Sequence, residues 1–116
     1  MVLIGEASRS SPAARRDKLV GLAEATARVP DGAVITLGGV LLNRPPAAFV
    51  RELARQGRRR LHLVKPSPAY DLDLLAAAGC LDHTTIGITT FESRFGQSRQ
   101  FRRAVERGAL KVHEHS

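Results

Sequence analysis

Asp31-Gly32-Ala33-Val34-Ile35-Thr36-Leu37-Gly38-Gly39, continued by Val40-Leu41-Leu42-Asn43-Arg44-Pro45-Pro46, is the stretch on which the reading of this chain turns. Ala33 to Leu37 is a short β-rich run without polar alternation, the pattern of a strand covered on both faces. Two glycines end it, and glycine lets another group come close to the main chain. Pro46 suits the first turn of a helix, so the stretch reads as strand, bend and helix start, the last with free N–H groups that can face an anion. A plain tight turn explains two glycines equally well, and spacing alone does not choose between the two readings.

The same alternation extends in both directions. Upstream, Leu22, Ala25, Thr26 and Val29 fall on one helical face, closed by Pro30-Asp31-Gly32. Downstream, Phe49, Val50, Leu53 and Ala54 form the apolar stripe of a helix that stops at Gly57, with Arg51, Glu52 and Arg55 on its outer side. Leu61 to Val64 reads as a strand, Pro66 and Pro68 punctuate a loop, and Asp71 to Ala78 reads as a helix with acids in its first turn. Thr85 to Ile88 reads as a third strand, Ser98 to Arg107 as a helix stopped by Gly108, and Leu110 to His113 as a fourth strand.

Parallel neighbours cannot be joined by a hairpin, so this αβ alternation implies right-handed crossovers and a three-layer α/β/α fold with a mainly parallel sheet. Ligands of such sheets gather at the carboxyl ends of the strands. The loops Gly38 to Pro46, Lys65 to Tyr70 and Thr89 to Gln97 all follow strands and are therefore expected along that edge. Met1 to Asp17, rich in Ser, Ala and Arg, reads as a loose N-terminal arm, and residues 18–116 as one domain.

Composition narrows the function classes. With 43% hydrophobic and 25% charged residues in 116, the chain has the make-up of an ordinary globular domain. No apolar run approaches the ~20 residues needed to cross a bilayer, and Met1 to Ser11 lacks an export signal, so a cytoplasmic protein without membrane contact is expected. Cys80 is the single cysteine, which removes an internal disulfide and a thiolate metal cluster. The net charge of +7 comes from 15 Arg and 3 Lys against 11 acids and suits a polyanion, an acidic partner or a phosphate-bearing cofactor. Five aromatics offer few platforms for base stacking, so nucleic acid is disfavoured.

The strand-Gly-Gly-loop-Pro stretch resembles the first signature of family I coenzyme A transferases, specifically the α (A) subunits of the glutaconate and 3-oxoacid type. Further blocks resemble that subunit in order and spacing: Lys18-Leu19-Val20 with Glu24-Ala25, Phe49 to Gly57, Leu61 to Val64, Asp71 to Leu75 with Ala78-Gly79-Cys80, and Phe101 to Gly108. The resemblance spans about Lys18 to Ser116. It implies a CoA transfer in which a glutamate carboxylate becomes a glutamyl-CoA thioester, covalent catalysis that divides one hard step into two. It also implies acyl-CoA and a carboxylic acid as substrates, no permanently bound cofactor, and a hetero-oligomer with a β-like subunit that supplies the glutamate; from the residues themselves, no metal is expected. Without that partner the chain is expected to be inactive. The family's α subunits continue past the segment ending here at Ser116, so a shortened subunit, a fragment or a degenerate paralogue is expected.

Carried over by position, Gly38, Gly39, Asn43, Arg44 and Pro46 are the substrate- and CoA-binding candidates, the glycine N–H groups being placed to stabilise a thioester oxyanion. Two departures stand out: Val40 replaces the usual Phe, and Arg44 stands where many members have Gly, with a substrate carboxylate or CoA phosphate as its candidate partner. Glu92, in Phe91-Glu92-Ser93-Arg94, is the one acid of this chain in a position to act as its own nucleophile. His113 and His115 alternate on a strand without an evident third metal ligand. Two rival readings stay open: an acyl-CoA hydrolase, of a C–C bond or of the thioester, on the same scaffold, and a non-catalytic basic module using Arg58-Arg59-Arg60 and Arg99, Arg102, Arg103 and Arg107.

Overall fold

The structure, a computed structural model, describes residues 16–115. Most of the expected N-terminal arm therefore lies outside the described residues. Eight elements follow in strict alternation: α1 (Leu22–Ala27), β1 (Val34–Ile35), α2 (Ala47–Arg55), β2 (Leu61–Val64), α3 (Tyr70–Ala77), β3 (Leu81–Ile86), α4 (Arg99–Glu106) and β4 (Lys111–Glu114). The four strands form one all-parallel sheet in the order β1-β2-β3-β4. The α/β class expected from the alternation is the class observed.

Each crossover steps one strand in the same direction. With right-handed connections, α2, α3 and α4 then fall on one face of the sheet. They pack there as neighbours, α1 beside α2, α2 beside α3, and α3 beside α4. Under them lies the core of Ile35, Leu37, Phe49, Val50, Leu53, Leu61, Leu63, Leu72, Leu75, Cys80 and Ile86. Three helices end on a positive-φ glycine whose next residue donates back into the last turn, as from Arg58 N–H to the Leu53 carbonyl at 3.2 Å. The N-terminus of α4 takes its cap from α3: Asp73 Oδ1 accepts the Phe101 N–H at 2.8 Å.

The opposite face is polar and, among the described residues, carries no helix. Val34, His62 and His83 stand in register across it, with Lys111 beside His83. Val34 is 65% exposed, so β1 is not covered on both sides as its composition suggested. The third layer of the expected sandwich is thus not supplied by the described residues. β3 also begins at Leu81 rather than Thr85 and ends at Ile86. Its opening residues, Leu81-Asp82-His83, hid the strand because Asp82 sits at a register shift opposite Leu61/His62, and His83 belongs to the polar face.

Candidate functional site

The three loops expected at the carboxyl edge do converge there. Leu41 N–H donates to the Ser67 carbonyl at 2.8 Å, tying the first loop to the second. Asn43 Nδ2 donates to Glu92 Oε1 at 3.4 Å, tying the first to the third. Strained backbone concentrates in the same place: of four non-glycine residues with positive φ among the described residues, Leu41 (50°), Arg44 (56°) and Glu92 (69°) lie in these loops.

The glycine bend owes its shape to the chain itself. Val40 and Asn43 exchange two backbone hydrogen bonds of 3.0 and 2.8 Å, folding residues 40–43 into a small hairpin over Gly39. Gly39 has φ 84°, and a Cβ there would lie 2.6 Å from the Arg44 carbonyl oxygen and 2.7 Å from that of Asn43. The close approach that paired glycines permit is thus made by the loop's own backbone. Both glycines are half-buried, and among the described residues neither N–H meets an acceptor.

Behind the bend lies a pair that the sequence reading did not single out. Lys65, at the end of β2, is 1% exposed, and its Nζ lies 2.5 Å from Oδ2 of the fully buried Asp71. The same ammonium donates to the Gly38 carbonyl at 2.9 Å. Asp71 Oδ1 accepts the N–H groups of Ala69 and Leu72, each at 3.0 Å, which fixes the carboxylate at the start of α3. Burying two charges is costly unless both are paired and their remaining bonding capacity is met, and here both conditions hold for the carboxylate. Lys65 was missed because Lys65-Pro66-Ser67-Pro68 reads as exposed loop punctuation. The available signal was a strand-ending Lys, one of three in an Arg-dominated chain, followed by an Asp at a helix start.

The other candidates take definite places. Asn43 and Arg44 are exposed, and Pro46 caps α2, its carbonyl accepting the Val50 N–H at 3.0 Å. Glu92 forms no ion pair with Arg94 among the described residues; Arg94 instead lies 6.0 Å from the centre of the Phe95 ring. A cavity of about 280 Å³ opens at this edge between the third loop and α4, lined by Thr89, Thr90, Gln97, Ser98, Phe101 and Arg102 among others. None of the substrate- and CoA-binding candidates lines it, nor does Glu92; Arg102, from the basic group, does.

Away from the edge, His113 is joined not by His115 but by His83, whose Nδ1 lies 3.2 Å from His113 Nε2, and by His62, which pairs with Thr85 Oγ1 at 2.7 Å. The three rings cluster with centroids 5.5 to 5.9 Å apart. Burial, then the neighbouring histidines, pull the His62 imidazole below its ordinary value. Among the described residues no group of three or more side chains is arranged to hold a metal ion. Cys80 is buried in the core, and burial pushes its thiol up, the opposite of what a nucleophile needs. No helix among the described residues is long and apolar enough to cross a membrane.

Comparison with known proteins adds to this geometry. The coenzyme A transferase family model matches residues 20–116. The A component of the 3-oxoadipate CoA-transferase of Pseudomonas knackmussii is 38% identical over 103 residues, 85% of this chain and 36% of that protein. Glutaconate coenzyme A-transferase from Acidaminococcus fermentans superposes with a TM-score of 0.79 at 30% identity, covering 86% of this chain and 32% of the other. A variant of the decarboxylase AibA/AibB superposes with a TM-score of 0.77 at 35% identity, covering 84% and 38%. The chain spans about a third of the length of these relatives.

Proposed function

Since the chain belongs to the coenzyme A transferase family, we propose that it is the A-type part of an enzyme that moves CoA between an acyl-CoA and a carboxylic acid, and that a B-type partner donates the nucleophilic glutamate. The observation that carries this reading is the glycine bend at the carboxyl edge of the matched sheet, whose N–H groups have no acceptor among the described residues. Such donors suit an oxyanion. The three loops contain one acid, Glu92, and it is engaged by Asn43. A carboxylate from outside the chain fits that shortage better.

In the proposed reaction the partner's glutamate oxygen adds to the thioester carbonyl carbon. The carbonyl electrons move onto oxygen and, as they return, the C–S bond breaks, leaving an anhydride and CoA thiolate. The thiolate then attacks the glutamyl carbonyl, releasing the first carboxylate and leaving a glutamyl-CoA thioester, which an incoming carboxylate resolves by the reverse sequence. Within this scheme Gly38 and Gly39 face the developing oxyanion, Asn43 and Arg44 border the acyl and CoA path, and Pro46 sets the start of α2. CoA is substrate rather than resident cofactor, and the assembly is a hetero-oligomer working in the cytoplasm.

Co-expression with a neighbouring reading frame that carries the glutamate half tests this. The expected result is co-purification and CoA transfer from acetyl-CoA to 3-oxoadipate or glutaconate by the mixture alone, with CoA found covalently on the partner by mass spectrometry. A mixture that transfers nothing defeats the reading. The decarboxylase among the structural neighbours supports one second reading, loss of carbon dioxide from an acyl-CoA on this scaffold. Carbon dioxide release with the thioester kept in the product and no acceptor requirement would establish it, whereas free thiol without an acceptor would indicate hydrolysis.

A further inference from the structure

We infer that Lys65 is a positioning residue for this reaction: held by Asp71, its buried ammonium pins the Gly38 carbonyl and so aims the Gly39 N–H at the reacting thioester. The inference rests on the transferase reading above and adds a residue to it.

The geometry follows from the peptide unit. The Gly38 carbonyl and the Gly39 N–H belong to one planar trans amide and point in opposite directions. The carbonyl points at Lys65 Nζ, 2.9 Å away on a side chain that is 1% exposed, which is inward. The N–H of the same amide therefore points outward, away from the buried ammonium. A positive charge on the carbonyl oxygen also polarises the amide and strengthens its N–H as a donor.

Two further features make the orientation specific. The hairpin of residues 40–43 packs the Asn43 and Arg44 carbonyls against Gly39, so the bend is held by its own loop as well. Asp71 is itself fixed by the Ala69 and Leu72 N–H groups, so α3, the end of β2 and the bend after β1 meet at one ammonium. Filling a core needs no charge, since apolar side chains of similar volume stabilise as well or better. The pair instead supplies a directed cation beneath a flexible bend.

The test uses the double variant Lys65→Met with Asp71→Asn. It strands no charge, and the introduced amide side chain keeps an oxygen for the Ala69 and Leu72 N–H groups. In the chain alone, NMR is expected to show a displaced Gly39 amide resonance and faster Gly39 hydrogen exchange, with the circular dichroism of the wild type. In the reconstituted enzyme assayed with acetyl-CoA and 3-oxoadipate, kcat is expected to fall at least about 10-fold with KM changed less than about 3-fold, because an oxyanion donor acts in the transition state. A folded double variant with an unmoved Gly39 amide overturns the clamp. An unchanged kcat, or kcat and KM falling away together with thermal stability, overturns the positioning role. If the wild-type mixture itself transfers nothing, the transferase reading has failed and the role with it, while the NMR result separately decides whether the clamp exists.

Discussion

Gly39 and Gly96 share a backbone angle, φ 84° in both, and sit in neighbouring loops at one edge of the sheet. Their surroundings differ completely. A Cβ on Gly39 would strike backbone atoms at 2.6 to 2.7 Å, whereas a Cβ on Gly96 would meet nothing within 4 Å. The first loop is braced from beneath by the Lys65–Asp71 pair, and the third rests on its own turn, with Phe95 and Gly96 N–H groups on the Glu92 carbonyl at 3.1 and 3.0 Å. One bend is held by the fold; the other is local. Rigid geometry is what a site needs for directing charge, and the braced bend is the one that carries the proposed donors.

The strongest way to break this contrast is to remove the brace. Lys65→Met alone leaves Asp71 buried without its cation, and a loss of about 3–5 kcal/mol in urea-monitored stability is expected. Asp71→Asn added to it should restore most of that loss. A single-variant loss below about 1 kcal/mol would mean that the pair does not hold the first loop. Next in size is the glycine pair. Gly96→Ala bears the backbone term alone, about 1 kcal/mol, while Gly39→Ala adds the collision and should reach about 3 kcal/mol. Equal thermal shifts for the two would erase the distinction.

Acidification should sharpen the contrast by leaving it untouched. Neither loop contains a histidine, so the gap between the two alanine variants should stay constant from pH 7.5 to 5.5. Absolute stability should nevertheless fall. Burial holds folded His62 below its unfolded value of 6.5, with His83 and His113 adding repulsion and Asp82 partly offsetting it. Between those two values the unfolded chain binds more protons, so lowering the pH favours unfolding, and the loss levels off once folded His62 is itself charged. Thermal melts of wild type and His62→Asn across that range check this, the variant showing the shallower decline. The smallest effect belongs to the link between the loops. Asn43→Ala should change stability by no more than about 0.5 kcal/mol, because its contact with Glu92 is long and exposed. Faster hydrogen exchange confined to residues 89–97 is its expected signature.

Much of this architecture was legible because it rests on periodicity. Leu61 to Val64 coincides with β2, and the stripe Phe49, Val50, Leu53 is the buried face of α2. The start of β3 was not legible, since Asp82 and His83 look like loop residues until one face of the sheet is known to be polar. The convergence of the three loops followed from strand polarity alone. The direction of the Gly38 carbonyl did not, because it depends on Lys65 reaching across 27 residues of chain, a pairing without periodic signature. Asn43 comes from the family resemblance and Glu92 from its chemistry on the ligand-bearing edge, and their meeting is a product of the fold.

The order of the strands has a kinetic consequence. Chain order and spatial order coincide, so each new strand docks on the one just before it across a single helical crossover. Among the described strands, none has to wait for a later one to be inserted between its neighbours. Pairings of this kind keep loop-closure entropy low and let the sheet grow in the direction of synthesis, one βα step at a time, as the polypeptide leaves the ribosome.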